Sequence, residues 1–286
     1  MPSISSPVSV EFFPHDSVKE NRFDLLTTPK HAKAIQNQGK VYLVGAGTGD
    51  PELLTIKAYK TILQADVICY DNLVSDEILA LNTTAEKIYV GKKCHKHSMS
   101  QQDINGLLVT LAQQGKTIVR LKSGDPFIFG RGGEEMQTVI SAGVACESIA
   151  GITTALAVAN SVNIPLTHRD YAQSVKFVTG FLKADTPNEQ YAELLADNQT
   201  VVFYMGLNTL PNLTQGLLQA GKSADTPFAI IANVSRHNEQ VLVGTLSTIQ
   251  ALQNDAKLPS PAVMIMGDVV SLYHQLNAPT LTYAAL

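Results

Sequence analysis

Three short segments carry residue types suited to holding a small molecule. Gly45-Ala-Gly-Thr-Gly-Asp-Pro51 follows an apolar run and precedes an apolar-periodic stretch. Ser123-Gly-Asp-Pro126 repeats the Gly-Asp-Pro signature after a second apolar run, and Gly151-Ile-Thr-Thr154 adds a Gly-Thr turn. Glycines in such loops let the backbone approach a ligand closely and adopt positive φ. The dinucleotide fingerprint G-x-G-x-x-G is met at Gly45 and Gly47 but fails at Asp50, where the third glycine belongs. A carboxylate there would repel a pyrophosphate seeking the helix N-terminus. No Gly-Lys-Ser/Thr follows, so the Walker pattern fails as well. Turn chemistry plus a helix cap explains any one loop alone. Two Gly-Asp-Pro loops and a third turn on one edge favour a small-molecule cleft.

Other groups join these loops. Asp71 and Lys92 stand at the ends of apolar strands. Phe127-Ile-Phe-Gly-Arg-Gly-Gly133 offers apolar walls and Arg131, a side chain suited to gripping a carboxylate with two hydrogen bonds. His168, Arg169, Asp170 and Tyr171 form a polar run that suits an acidic ligand or a solvated linker. Cys94, His95 and His97 are close in sequence, but a structural metal site needs about four ligands. No metal is expected.

The elements that must position these groups alternate. Strands are predicted at 41–44, 67–70, 88–90, 117–121 and 145–149. A helix opens at Asp50-Pro51-Glu52, a short one is capped by Ser75, another by the Ser100/Asp103 box, and a fourth covers 132–142. The alternation predicts an α/β layer with a mostly parallel sheet. In open α/β sheets ligands lie beyond the carboxyl ends of the strands, which is where all three loops fall. The pattern resumes with strands at 175–178, 200–204, 228–231, 241–244 and 262–266, separated in places by helices near 188–196, 210–219 and 248–253. The close succession at the end predicts an antiparallel pair. The reading divides the chain into a flexible extension (1–38), an N-terminal α/β domain (39–151), a C-terminal α/β domain (152–277) and a tail (278–286).

Composition narrows the class. The 286 residues hold 21 Lys plus Arg against 25 Asp plus Glu, a net charge of −4, which does not suit a nucleic-acid binder. No apolar run reaches membrane-spanning length. The amino terminus lacks a basic segment followed by an apolar core, so no secretory signal is expected. Three scattered cysteines fit a reducing cytosol, and a cytoplasmic location is expected.

The motifs VGAGTGDPELLT, YDNLVS, VGKK, RLKSGDPFIFGRGGEE, GITTA, IPLTHRDYAQS and VFYMG, in this order, resemble the S-adenosylmethionine-dependent tetrapyrrole methylases, and among them the uroporphyrinogen-III C-methyltransferases. The resemblance runs from about Lys40 past Gly267. It implies two α/β domains with the cofactor cleft between them, usually in a homodimer. It implies methylation of uroporphyrinogen III at C2 and C7 to give precorrin-2, for sirohaem or corrinoid synthesis, with S-adenosylhomocysteine as by-product. By position, the implied cofactor contacts are Thr48, Ser123, Gly124, Asp125, Ile128, Thr153, Thr154, Met205 and Val234. Asp71 matches the proton acceptor and Lys92 the donor. Thr48 and Ala150 stand where proline is common, Ser123 where glycine is common, and Val234 where glycine can occur. Backbone contacts would tolerate such changes. The implied substrate carries eight carboxylates, so positive charge must be concentrated locally. Lys92, Lys93, Arg131, His168 and Arg169 are the candidates. A dinucleotide-dependent oxidoreductase and a non-catalytic ligand sensor are the competing classes.

Overall fold

The structure is a computed structural model that describes residues 39–91, 99–180 and 191–278. The predicted extension (1–38), nearly all of the tail, Lys92, Lys93 and the Cys94/His95/His97 group lie outside the described residues, as does the first part of the helix expected at 188–196.

The first sheet contains β1 (Lys40–Gly45), β2 (Val67–Tyr70), β3 (Glu86–Tyr89), β4 (Thr117–Lys122) and β5 (Ala145–Ile149), in the order β3-β2-β4-β1-β5. All its pairings are parallel. Both faces are covered. Val41 and Leu43 of β1 point to one core, with Ile104 and Leu108 of α3 (Gln101–Gln113) and Val139 of α4 (Gly132–Ser141). Val44 points to the other, with Ala58 and Ile62 of α1 (Ile56–Leu63) and Ile78 of α2 (Asp76–Ala80). This alternation is the period of two that a strand imposes. The chain winds outward in opposite senses from β1 and β4. The sheet therefore has its switch point between them, the kind of place where open α/β sheets hold ligands.

One helix start differs from expectation. Asp50 does accept the Glu52 amide at 2.8 Å, but it caps only a 3₁₀ turn, Pro51–Leu53. Leu54 and Thr55 are extended, and the Thr55 hydroxyl caps α1 by accepting the Ala58 amide at 3.1 Å. Thr55, an N-cap in its own right, interrupts what the apolar spacing reads as one helix.

The second sheet contains β6 (Ser174–Thr179), β7 (Gln199–Tyr204), β8 (Pro227–Ala232), β9 (Gln240–Thr245) and β10 (Ala262–Met266), in the order β6-β7-β10-β8-β9. Only β6 and β7 pair in parallel; β10 runs antiparallel to β7 and β8, and β9 antiparallel to β8. One face packs on α5 (Thr154–Ser161) through Ala155, Ala157 and Val158. The opposite face packs on α6 (Leu210–Gln219) through Leu210, Leu213 and Leu217, and on Ile249 of α7 (Ile249–Ala256). The sequence reading marks the Gly151–Thr154 turn but not the helix it opens.

Candidate functional site

The three loops singled out from sequence meet. Gly47 and Gly124 exchange backbone hydrogen bonds, Gly124 N to Gly47 O at 2.6 Å and Gly47 N to Gly124 O at 3.2 Å. Their φ values, 62° and 69°, lie in the left-handed region that glycine enters without strain. A Cβ on Gly45 would stand 2.4 Å from the Gly151 nitrogen, so the third loop also closes on the first. Asp125 braces this junction: Oδ1 accepts the Phe127 amide at 2.9 Å and Oδ2 the Gly151 amide at 3.1 Å.

Beside this junction lies a cavity of ≈ 400 Å³, walled by both sheets' loops. Thr48, Ser123, Thr154, Met205 and Val234 line it. Gly124, Asp125, Ile128 and Thr153 do not form its wall; they build the loops behind it. The Thr153 hydroxyl is committed to the Tyr204 hydroxyl, 2.7 Å away, and Tyr204 also accepts the Ala155 amide at 3.0 Å. Burial pushes the Tyr204 pKa above its ordinary value, against the pull of the Thr153 hydroxyl and the Ala155 amide. Two backbone features mark the rim. Met205, with φ 56° and a side chain left exposed, occupies a left-handed conformation uncommon for a non-glycine residue. Asn233 and Ser235 do the same on either side of Val234.

The cavity wall fits a small polar-headed ligand. The Thr48 hydroxyl is buried and has no hydrogen-bond partner among the described residues. A buried hydroxyl left unpaired costs about 1–3 kcal/mol, so a ligand atom that reaches it gains a bond the protein does not supply.

Next to the cavity a charged group lies inside the first sheet. Arg120 and Lys122, on β4, are buried, and Glu135 of α4 is fully buried. Glu135 Oε1 accepts from Arg120 Nε (3.3 Å), Lys122 Nζ (3.0 Å) and Gln101 Nε2 (3.1 Å). Arg120 Nη2 reaches on to Asp71 Oδ2 at 3.1 Å, and Asp71 Oδ1 accepts the Leu73 amide at 3.1 Å. The carboxylate of Asp71 is thus held from two sides at the end of β2. Burial, with Arg120 close by, lowers the Lys122 pKa, and Glu135 opposes the shift.

The substrate candidates are less concentrated. Arg131 makes the expected bidentate grip, but on its own helix: Nε meets Glu134 Oε1 at 2.9 Å and Nη2 meets Oε2 at 2.6 Å. His168 and Arg169 sit in the turn closed by the His168–Ala172 bridge, with the His168 ring edge-on to Tyr171. None of these three lines the cavity. Sequence reasoning missed Arg120, Lys122 and Glu135. The signal was partial: two cations two residues apart on a strand share one face, but nothing local says that the face is covered by an acid-bearing helix.

The Tetrapyrrole (Corrin/Porphyrin) Methylases family matches this sequence over residues 40–250. The chain belongs to that family. The siroheme synthase of Psychrobacter cryohalolentis is 55% identical to this chain over 250 residues, 87% of this chain and 48% of the relative. That of Acinetobacter baylyi is 50% identical, over 88% of this chain and 55% of its own length. The chain therefore spans about half the length of the curated relatives it matches. Among solved structures, the uroporphyrin-III-C-methyltransferase of Thermus thermophilus superposes with a TM-score of 0.72 at 38% identity, covering 84% of this chain and 99% of its own. The same Thermus enzyme complexed with S-adenosyl homocysteine gives 0.70 at 37% identity, over 82% and 100% of the two chains.

Among the described residues, no helix is long and apolar enough to cross a membrane. No cluster of three or more His, Cys, Asp or Glu among them could hold a metal.

Proposed function

We propose that this chain is an S-adenosylmethionine-dependent C-methyltransferase that methylates uroporphyrinogen III at C2 and C7 to give precorrin-2. The observation that carries the reading is the cavity beside the joined Gly47/Gly124 loops, in a fold that the Thermus enzyme shares and for which a complex with S-adenosyl homocysteine exists. S-adenosylmethionine supplies a methyl group already activated on a sulfonium.

The protein's part is to align and to move a proton. Thr48, Ser123, Thr154, Met205 and Val234 hold the donor through the cavity wall, and Gly124, Asp125, Ile128 and Thr153 set the loops' shape. Positioning of this kind can lower a barrier by roughly 7–11 kcal/mol, more than the ~10²–10⁴-fold typical of one acid or base. Asp71 accepts the proton that leaves the methylated pyrrole, with Arg120 and the Leu73 amide fixing the direction of its carboxylate. Lys92 is assigned as the proton donor. Arg131, His168 and Arg169 meet the substrate's carboxylates, Arg131 by leaving Glu134. Because such contacts are screened, substrate affinity falls with added salt.

Two copies are proposed to pair. Ile56, Tyr59 and Leu63 leave the outer face of α1 apolar and exposed, Ile56 by 74%, which supports a buried partner there.

The test is incubation with uroporphyrinogen III and S-adenosylmethionine labelled in its methyl group, followed by product mass. A product carrying two labelled methyl groups supports the reading. Unaltered substrate, with intact folding, overturns it.

A further inference from the structure

Arg236 follows β8, in the second half of the chain, yet its guanidinium ends among carbonyls of the first half. Nη2 donates to the Leu73 carbonyl at 2.8 Å and Nε lies 3.5 Å from the Thr48 carbonyl. Gly49 is so near that a Cβ on it would stand 3.2 Å from Arg236 Nε. Both side-chain hydrogen bonds of Arg236 among the described residues go to these two carbonyls.

The Leu73 carbonyl belongs to a small unit. The Leu73 amide donates to Asp71 Oδ1, and the Val74 amide donates to the Asp71 carbonyl at 3.3 Å. Asp71 and Leu73 are therefore locked in one turn, and Arg236 grips that turn from the opposite sheet. The same guanidinium touches the Thr48 loop and lines the cavity with Leu73 and Thr48.

We propose that Arg236 is a positioning residue. It sets the distance between the Asp71 turn and the Thr48 loop, so that the proton acceptor and the methyl donor keep one spacing. The inference rests on the reading of Asp71 given under the proposed function. A role as a counter-charge for the donor is disfavoured because two of its donor groups already face protein carbonyls. Misplacement of a reacting group by about 1 Å can cost ~10²-fold in rate, so a loosened turn should act on turnover rather than on affinity.

The experiment is a double-mutant cycle of Arg236→Met and Asp71→Ala, with S-adenosylhomocysteine binding by calorimetry and amide hydrogen exchange at Leu73 and Val74 as readouts besides methyl transfer. The expected result for Arg236→Met is a kcat lower by about 10- to 100-fold, the scale set by misplacement. The affinity for S-adenosylhomocysteine should stay within about threefold, under 1 kcal/mol. Exchange at the two amides should be faster by about tenfold or more, as local opening becomes easier. Arg236→Lys, which keeps a single donor head, should recover part of the kcat. On the Asp71→Ala background, Arg236→Met should add less than about a twofold loss, because contacts that act through one group are not additive. A loss in S-adenosylhomocysteine affinity as large as the loss in kcat would make Arg236 a ligand contact and overturn the proposal. So would a full additional loss on the Asp71→Ala background, or unchanged exchange at the turn. Wild-type turnover of Asp71→Ala would instead remove the reading of Asp71 itself, and the role of Arg236 with it.

Discussion

The hydroxyl of Tyr204, at the end of β7, lies 2.7 Å from the hydroxyl of Thr153, the residue just before α5, and accepts the amide of Ala155. One phenol thus ties the second sheet to the turn that follows the first. Tyr204→Phe leaves the Thr153 hydroxyl and the Ala155 amide without that partner. The expected cost is about 1–3 kcal/mol of stability, read from urea unfolding, because both groups are desolvated there. An unchanged urea midpoint would mean that water replaces the phenol freely.

Thr48 separates binding from stability. Thr48→Val removes a buried hydroxyl that has no protein partner and keeps the side chain's shape. The ligand-free protein should hold or gain thermal stability. The affinity for S-adenosylhomocysteine should fall by about tenfold, the worth of one hydrogen bond of about 1.4 kcal/mol. Differential scanning calorimetry with and without ligand measures both. Equal affinity in the variant would remove the Thr48 side chain from the contacts.

Glu135 is the acid that balances Arg120 and Lys122 inside the first sheet. Glu135→Gln leaves two buried cations without it, and the expected loss is about 3–5 kcal/mol. The pH dependence has a definite sign. The folded-state pKa of Lys122 is lowered, so the unfolded chain binds the extra proton and stability rises with pH. Losing Glu135, which now opposes that shift, should steepen the rise. Urea unfolding of both proteins at neutral and alkaline pH tests this, and parallel pH curves would contradict it.

On the surface, Glu147 receives Lys40 at 2.6 Å and Lys57 at 2.5 Å. These two lysines hold its carboxyl at about 2, down from 4.5. A depressed carboxylate stabilises above its unfolded pKa and loses that contribution as pH falls from 4.5 towards about 2. The side chain is one-third exposed, so each pair contributes only about 0–1 kcal/mol. Glu147→Gln should lower Tm slightly at neutral pH, and the gap should close near pH 2. A gap that persists there would assign the effect to packing.

Much of the first sheet was readable in the sequence because β1, β2 and β4 are largely apolar runs closed by turn residues, and α2 and α3 carry their own caps at Ser75 and Ser100. The same logic placed both Gly-Asp-Pro loops on one edge, but not their junction, which needs the adjacency of β1 and β4. Other features were not readable. Arg120 and Lys122 look like solvent-facing charges on a strand until α4 covers them with Glu135. Tyr204 sits in a motif, VFYMG, that drew attention to Met205 alone. Arg236 has no local signature at all, because its partners, Thr48 and Leu73, lie more than 160 positions away and only the packing of the two sheets brings them near. The break at Thr55 was hidden because Asp50-Pro51-Glu52 is itself a valid helix start.

The central claim is that one cavity, between the Thr48 loop, the Ser123 loop and the end of β7, holds the methyl donor. A crystal structure with S-adenosylhomocysteine tests it most directly. The account predicts the ligand in that cavity, against Thr48, Met205 and Val234, with a polar atom on the Thr48 hydroxyl. The ligand seated elsewhere, or absent at saturating concentration with the cavity open, would contradict it.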